Sequence, residues 1–476
     1  MYADLALYID GRFITVSPGR PSQPVLEPAT GEVLGDLPHA SDNELDQAVE
    51  AAVGAFRPWR AKTPYERSAI LRRAASLLRE RFEHIARVLT REQGKPLAES
   101  KAELVHAIDL FDWFAEEGRR AYGRVIPSRA TDIQQFTLME PVGPAAVFTP
   151  WNFPALTPAR KLAAGLAAGC PVILKAAEET PGTAVAIVRA LHDAGLPAGC
   201  VALVFGNPSE VSTRLLARRE IRKISFTGST EVGKHLLKLA ANTVKRTTLE
   251  LGGNAPVIVY DDADYERALA YLTAGKFRNA GQVCIAPARF FVHEKLYARF
   301  TADLAARARS LVVDNGLNPN SQMGPLANRR RLDAMERVVA DAELHGGRVL
   351  CGGGRCGDTG FFFEPTVVAD LDETALLFTE ETFGPVMPVA RFESSEEVFA
   401  RANRVEAGLA GYVFTTSIAH ARSAMQELEV GMLGINTLAI STPETPFGGV
   451  KQSGYGAEGG IEGLQAFLET RFVAQA

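Results

Sequence analysis

Four short segments of this 476-residue chain carry side chains able to do chemistry. Cys284 closes the run Phe277-Arg278-Asn279-Ala280-Gly281-Gln282-Val283-Cys284. A Gly three residues before a Cys, after a helical run, suggests a turn that presents the thiol, and a thiolate is a strong nucleophile toward a carbonyl carbon. A lone Cys is more often a small buried apolar residue, so that segment alone leaves both readings open. Glu250 stands in Thr248-Leu249-Glu250-Leu251-Gly252-Gly253-Asn254. Between leucines and a glycine pair its carboxylate could be desolvated and raised toward a useful base; a solvated turn glutamate fits the same residues. Asn152, in Pro150-Trp151-Asn152-Phe153-Pro154, follows a β-prone run and has an amide able to donate to an oxyanion, a weak signal by itself. Phe226-Thr227-Gly228-Ser229-Thr230-Glu231-Val232-Gly233 follows another such run and opens a helix. Gly lets the backbone approach a phosphate and a helix N-terminus favours an anion. The spacing is not G-x-G-x-x-G, so the usual dinucleotide fingerprint is absent.

These residues need elements to hold them. Ser41 with Glu44 reads as a capping box opening a helix through Phe56. Thr63-Pro64-Tyr65-Glu66 is a stronger start, with a Thr cap, Pro at the first helical position and Glu at the third. Behind it Ile70, Leu71, Ala74, Leu77, Leu78, Ile85, Val88 and Leu89 recur at helical spacing, and a further helix is expected from about Pro96 to Glu117. The N-terminal region therefore reads as helical. From Pro141 onward β-prone runs at Ala145–Thr149, Pro171–Lys175, Val201–Phe205 and Lys223–Phe226 alternate with helices, one of them from Thr180-Pro181 to the C-cap Gly195. Such alternation implies a parallel α/β sheet with helices on both faces and ligands at the carboxyl ends of its strands. A second α/β stretch begins near Asn254, with strands expected at Pro256–Tyr260, Arg289–His293 and Gly431–Asn436 and a helical run from Asp261 to Ala274. Cys351–Gly360 reads as a Gly-rich surface loop, and Tyr122–Leu138 and Gln465–Val473 as edge strands outside the two sheets.

Composition narrows the class. Lys plus Arg number 51 and Asp plus Glu 56, a net charge of −5, which argues against a general nucleic-acid binder. Hydrophobic residues at 46% and charged residues at 22% lie in the ordinary soluble globular range, and the length suggests about three domains. Five cysteines, Cys170, Cys200, Cys284, Cys351 and Cys356, are too few and odd in number for a disulfide scaffold and fit a reducing compartment. No His cluster accompanies them, so no metal site is expected. Met1–Ile14 carries Asp4 and Asp10 without a basic stretch before an apolar one, and Leu162–Leu174 falls short of the ~20 apolar residues of a membrane span. A cytoplasmic protein with no membrane partner is the expectation.

Taken together and in this order, the segments resemble the aldehyde dehydrogenase superfamily over nearly the whole chain. The matching residues include Pro150-Trp151-Asn152-Phe153-Pro154, Lys175, Phe226-Thr227-Gly228-Ser229, Glu250-Leu251-Gly252-Gly253, Gly281-Gln282-Val283-Cys284, Glu381-Thr382-Phe383-Gly384-Pro385 and Pro446-Phe447-Gly448-Gly449. The resemblance implies a doubly wound cofactor-binding domain (1–120 and 139–251), an α/β catalytic domain (252–437) and a small β oligomerisation flap (121–138 and 438–476), assembled as a homodimer or homotetramer. It implies that Cys284 attacks an aldehyde to give, after hydride loss, a thioester, that Asn152 and the Cys284 N–H hold the oxyanion, and that Glu250 activates water. It places Thr149, Pro150, Trp151, Lys175, Glu178, Gly228, Ser229, Val232, Leu251, Glu381 and Phe383 around an NAD or NADP cofactor. A carboxylate at Glu178 suits free ribose hydroxyls and repels a 2′-phosphate, which favours NAD; Lys175 can bind a phosphate, which leaves NADP open. The family's usual Pro after the Lys is Ala176 here. Glu458 matches a family position linked to proton relay.

Within the superfamily, Arg160, Arg278 and Ser441 match positions by which succinate-semialdehyde dehydrogenases hold the substrate carboxylate. Two guanidiniums beside a thiol suit a dicarboxylic semialdehyde, since Arg grips a carboxylate bidentately; structural ion pairs with acidic neighbours are the alternative. Many such enzymes carry a second Cys two residues after the nucleophile, where this chain has Ala286. Glutarate or 2-oxoglutarate semialdehyde, uncharged aldehydes, acyl transfer to CoA and a catalytically silent structural role are the rival readings.

Overall fold

The computed structural model describes residues 2–476. Its helices begin where local capping chemistry places them. Ser41 and Glu44 close a capping box at the start of Asp42–Ala61, and Thr63 and Glu66 do the same for Pro64–Glu80. The apolar series from Ile70 to Leu89 is not one helix: it breaks at Arg81 into Pro64–Glu80 and Phe82–Gln93. The break re-aims the second piece so that Ile85, Ala86, Val88 and Leu89 stay buried.

The N-terminal region is not wholly helical. Leu7–Ile9 and Arg12–Ile14 form a hairpin whose two turn residues, Asp10 and Gly11, have φ of 47° and 79°. Ser22–Leu26 and Val33–Pro38 form a second antiparallel pair.

Two large sheets dominate. The first orders its strands 12–14, 7–9, 201–204, 172–175, 145–148, 223–227, 246–250 and 454–455. Its five central strands are parallel, but both edges are antiparallel, so the sheet is mixed rather than purely parallel. Arg246–Glu250 is an added parallel strand, and Glu250 is its last residue rather than part of a solvated turn. The second sheet orders 348–351, 366–369, 386–392, 287–293, 255–259, 410–414 and 432–435, all parallel except the first strand. Cys351 therefore ends a strand, and the Gly-rich loop starts after it.

Val125–Ile126, Gln134–Pro141 and Leu468–Gln475 form a separate three-stranded sheet, with Leu468 opposite Pro141 and Gln475 opposite Gln134. Only the last strand of the C-terminal segment lies there. Gly454–Tyr455 pairs with the first large sheet and Gly460–Gln465 packs on Leu156–Ala168. Among the described residues no helix is long and apolar enough to cross a membrane.

Candidate active site

The carboxyl ends of the two large sheets face a shared cavity of about 480 Å³. From the first sheet come the loop after Ala145–Phe148 with Pro150, Trp151 and Asn152, the Gly228-Ser229 helix start and Glu250-Leu251; from the second side come Arg278, Cys284, Glu381, Phe383 and Ser441. The expected nucleophile, amide and acid thus line one space. Thr149, Lys175, Glu178 and Val232 lie outside its lining.

The thiol is presented by an unusual turn. After the helix Tyr265–Phe277, Asn279, Ala280 and Gly281 have φ of 49°, 51° and 72°, three left-handed residues in a row. Non-glycine residues there are costly and persist only where surroundings fix them. Here the fixing is visible. Asn279 takes a hydrogen bond from Gln93 Nε2 at 2.8 Å and donates to the Asn152 carbonyl at 3.0 Å, while its own N–H donates to Glu99 at 2.8 Å. Gly281 has no room for a side chain, since a Cβ would stand 2.1 Å from the Gly384 carbonyl oxygen. Gly253 is equally tight: a Cβ there would lie 2.5 Å from the Cys284 carbonyl oxygen. The glycine pair after Glu250 therefore lets the acid's loop close on the thiol's loop.

Cys284 is half-buried against the cavity. Burial, with Glu381 and Glu250 nearby, pushes its thiol up to about 12. Glu250 is buried and both its carboxyl oxygens lack a hydrogen-bond partner among the described residues. Burial first, and then Glu458, hold its proton well above the usual carboxyl range. Glu458 is paired with Lys161 and accepts from Ser225 at 2.9 Å, so a buried polar cluster stands behind Glu250.

Asn152 donates to the Gln282 carbonyl at 3.1 Å, which turns its amide toward the Cys284 segment, and its Oδ1 has no partner. Its backbone is held by the buried Lys95, which donates to the Asn152 carbonyl at 2.8 Å and pairs with Glu103 at 2.6 Å. Glu103 in turn accepts from the Ala155 and Leu156 amides at 2.8 and 3.1 Å. Breaking such a buried pair typically costs ~3–5 kcal/mol, so the pair gives the Asn152 loop a rigid floor.

At the far end Arg160 is buried, donates to Ser441 Oγ at 2.6 Å and stacks over Phe447 at 4.1 Å. Arg278 stands over the Phe153 ring at 5.3 Å. Neither forms an ion pair with a carboxylate among the described residues, and Arg160 Nε is buried without a partner. Of the nearby acids, Glu458 is engaged by Lys161, Glu103 by Lys95 and Glu99 by the Asn279 amide, while Glu250 acts on Arg160 only through space. The ion-pair alternative is therefore not what the structure shows.

The residues on the other side suit a dinucleotide. Ser229 caps the helix Thr230–Ala241, whose N-terminus opens to the cavity, and the buried hydroxyls of Thr149 and Thr227 have no partner. Glu381 accepts from the Gly253 N–H at 3.1 Å. Trp151 and Phe383 meet edge to face at 5.5 Å. Lys175 and Glu178 pair at 2.5 Å beyond the strand that neighbours Ala145–Phe148, along the same carboxyl edge.

Several side chains that build this site escape a sequence reading. Arg331 donates to the Thr382 and Phe383 carbonyls at 2.6 and 3.0 Å and so fixes Phe383 at φ 47°. Tyr412 donates to the Ile285 carbonyl at 2.6 Å, beside the thiol. Lys95, Glu103 and His106 look like ordinary loop and helix-surface residues in the sequence. Lys161 had a signal: Arg160-Lys161 is the only charged pair in the otherwise apolar helix Leu156–Ala168, and buried charges must be paired or used.

Residues 15–473 match the family described as "Aldehyde dehydrogenase family". The chain is 46% identical over 458 residues to 4-(hydroxymethyl)benzenesulfonate dehydrogenase TsaD1 of Comamonas testosteroni, covering 96% of this chain and 95% of that one. It is 42% identical over 466 residues to glutarate-semialdehyde dehydrogenase of Pseudomonas putida, covering 98% and 96%. The crystal structure of succinate-semialdehyde dehydrogenase from Burkholderia pseudomallei matches with a TM-score of 0.97 at 43% identity, covering 100% of this chain and 98% of that one.

Proposed function

The chain belongs to the aldehyde dehydrogenase family of NAD(P)-dependent oxidoreductases, and from that premise we propose that it oxidises a dicarboxylic semialdehyde, such as succinate semialdehyde, to the diacid. The observation that carries the substrate is the pair Arg160 and Arg278, two guanidiniums without a carboxylate partner on the cavity that also holds Cys284. An apolar aldehyde would leave both charges uncompensated; a terminal anion accepts their donors. The same donors suit a sulfonate, the group in the name of the Comamonas testosteroni relative.

Chemically, the Cys284 sulfur adds to the aldehyde carbon and its proton leaves toward Glu250. Asn152 Nδ2 and the Cys284 N–H receive the oxygen. Bound NAD(P) supplies the hydride acceptor, held along Trp151, Gly228, Ser229, Glu381 and Phe383. The acyl group is left on Cys284 as a thioester, and Glu250 takes a proton from the water that releases the acid. Glu458 and Lys161 stand behind Glu250 to pass that proton on. We further propose NAD over NADP, since the carboxylate of Glu178 stands beside Lys175 where a 2′-phosphate would need room and positive charge. A homodimer or homotetramer built on the strand Leu468–Gln475 is supported by its exposed Phe472 and by its place in a sheet apart from the two large ones. Five free cysteines fit a cytoplasmic setting.

Steady-state kinetics on succinate semialdehyde, glutarate semialdehyde and hexanal, each with NAD and NADP, test the reading. Two charged hydrogen-bonding groups predict a kcat/KM for the semialdehydes about 10² or more above that for hexanal. Equal or better turnover of hexanal overturns the anion-site assignment.

The Glu250 base gives a pH signature. Its carboxyl keeps its proton well above the usual range, so the base form, and with it kcat, grows as pH climbs through that raised value. Glu250→Gln is expected to lower hydrolysis by about 10²–10⁴ and to abolish this limb. Folding binds the proton more tightly than the unfolded chain does, so stability falls between the ordinary carboxyl range and the raised value. The Gln variant loses that slope, which thermal melts across the pH range would display.

A further inference from the structure

We infer that His106 is a specificity-determining residue, a third donor that reads the oxyanion head of the substrate beside Arg160 and Arg278. This rests on the reading that the cavity takes an anion-tailed aldehyde. His106 lies on the helix Leu97–Glu117, one turn beyond Glu103, and lines the cavity that also exposes Arg160, Arg278 and Ser441. It is half-buried, and its imidazole makes no hydrogen bond among the described residues. A side chain chosen to accept a hydrocarbon tail would be apolar here; an imidazole with both nitrogens uncommitted offers a donor to an oxygen.

The surrounding charges give this donor a switch. Burial lowers the imidazole's pKa first, and Arg278, on the turn opposite, and Arg160, on Leu156–Ala168, act the same way; Asp109 and Glu103, on its own helix, pull against them. Glu103 is already engaged by Lys95 and two amides. Burial and the two guanidiniums therefore favour the neutral ring. A bound carboxylate or sulfonate offsets both guanidiniums and adds a negative charge next to the ring. The imidazolium becomes the favoured form, so the anion binds together with a proton. By linkage, binding of the anionic aldehyde weakens as pH rises past the pKa in the complex. An uncharged aldehyde has no such coupling.

The test compares wild type with His106→Phe and His106→Gln from about pH 6 to pH 9. The substrates are succinate semialdehyde, its sulfonate counterpart 3-sulfopropanal, and hexanal. In the wild type, KM for an anionic aldehyde should rise about tenfold over that range relative to hexanal, the scale of one charged hydrogen bond. His106→Phe should lower the preference for the anionic aldehyde over hexanal about tenfold at pH 6 and remove its pH dependence. His106→Gln, which keeps a neutral donor, should recover part of the preference but none of the pH dependence. Calorimetric titration with succinate, an unreactive anion, in two buffers of different ionisation enthalpy should show proton uptake in the wild type and none in His106→Phe. Coupling with only one of the two heads supports the role and identifies the head. A wild type that prefers anionic aldehydes, yet shows no proton uptake and an unchanged preference in His106→Phe, overturns this inference alone. A wild type that prefers hexanal overturns the substrate reading beneath it.

Discussion

Replacing Cys284 by Ser is expected to lower kcat by about 10⁴ or more, in the range that loss of a nucleophile costs in acyl-transfer enzymes. A hydroxyl needs a strong base to attack a carbonyl, and the acid facing it, Glu250, holds its proton well above the usual range. Burial pushes the thiol itself up to about 12, so sulfur is expected to succeed through its nucleophilicity once the aldehyde meets the oxyanion donors. The substitution changes one atom and leaves the left-handed turn at Asn279–Gly281 intact. Cofactor affinity by calorimetry and the thermal midpoint should therefore stay near wild type. A Cys284→Ser enzyme that retains a tenth of the wild-type rate would place the nucleophile elsewhere.

The second large effect falls on Arg160. Arg160→Met should lower kcat/KM for succinate semialdehyde by about 10–10², since a hydrogen bond to a charged group is worth ~1.5–3 kcal/mol. The loss for hexanal should be far smaller. The same variant should be more stable than wild type. The guanidinium is buried with no carboxylate within ion-pair distance, and even a buried ion pair replaced by apolar side chains of similar volume often gains ~1–4 kcal/mol. Selectivity falling while the melting temperature rises is the mark of a charge kept for the ligand. Equal losses on both substrates, with a lowered melting temperature, would instead mean that Arg160 holds the helix Leu156–Ala168 in place.

Local chemistry was the legible part of the fold. The Ser41–Glu44 and Thr63–Glu66 boxes need only neighbours in sequence, and both form as expected. The four β-prone runs from Ala145 to Phe226 are short and apolar, and each forms a strand of the first sheet. What failed were elements whose signal is brief or whose partners are remote. Asp10-Gly11 is a hairpin signal, but the strands it joins are only three residues each, too brief to stand out in the sequence. Arg246–Glu250 carries Arg, two Thr and Glu, and it becomes a strand because it sits beside Lys223–Thr227 and not because of its own pattern.

The site divides the same way. Residue types in the individual segments suggested a nucleophile, an acid and an oxyanion donor without deciding any of them; the family resemblance joined them, and the cavity brings them together. Arg160, Arg278 and Ser441 lie far apart in the chain, so their meeting depends on the packing of the two sheets. The supports were not legible at all. Lys95 in Gly94-Lys95-Pro96 resembles a surface lysine until the fold buries it against Glu103 and the Asn152 carbonyl. His106 is one polar residue on a long helix, and only the cavity beside it gives it a task.

The central claim is that Cys284 carries the acyl group of an anion-tailed aldehyde. Acid-quenching Glu250→Gln during turnover with succinate semialdehyde and NAD, followed by peptide mass spectrometry, tests it most directly. A succinyl adduct on the peptide bearing Cys284, absent from Cys284→Ser and absent when NAD is left out, is the predicted result. A modification on another residue, or NADH formation with no adduct while deacylation is slowed, would contradict it.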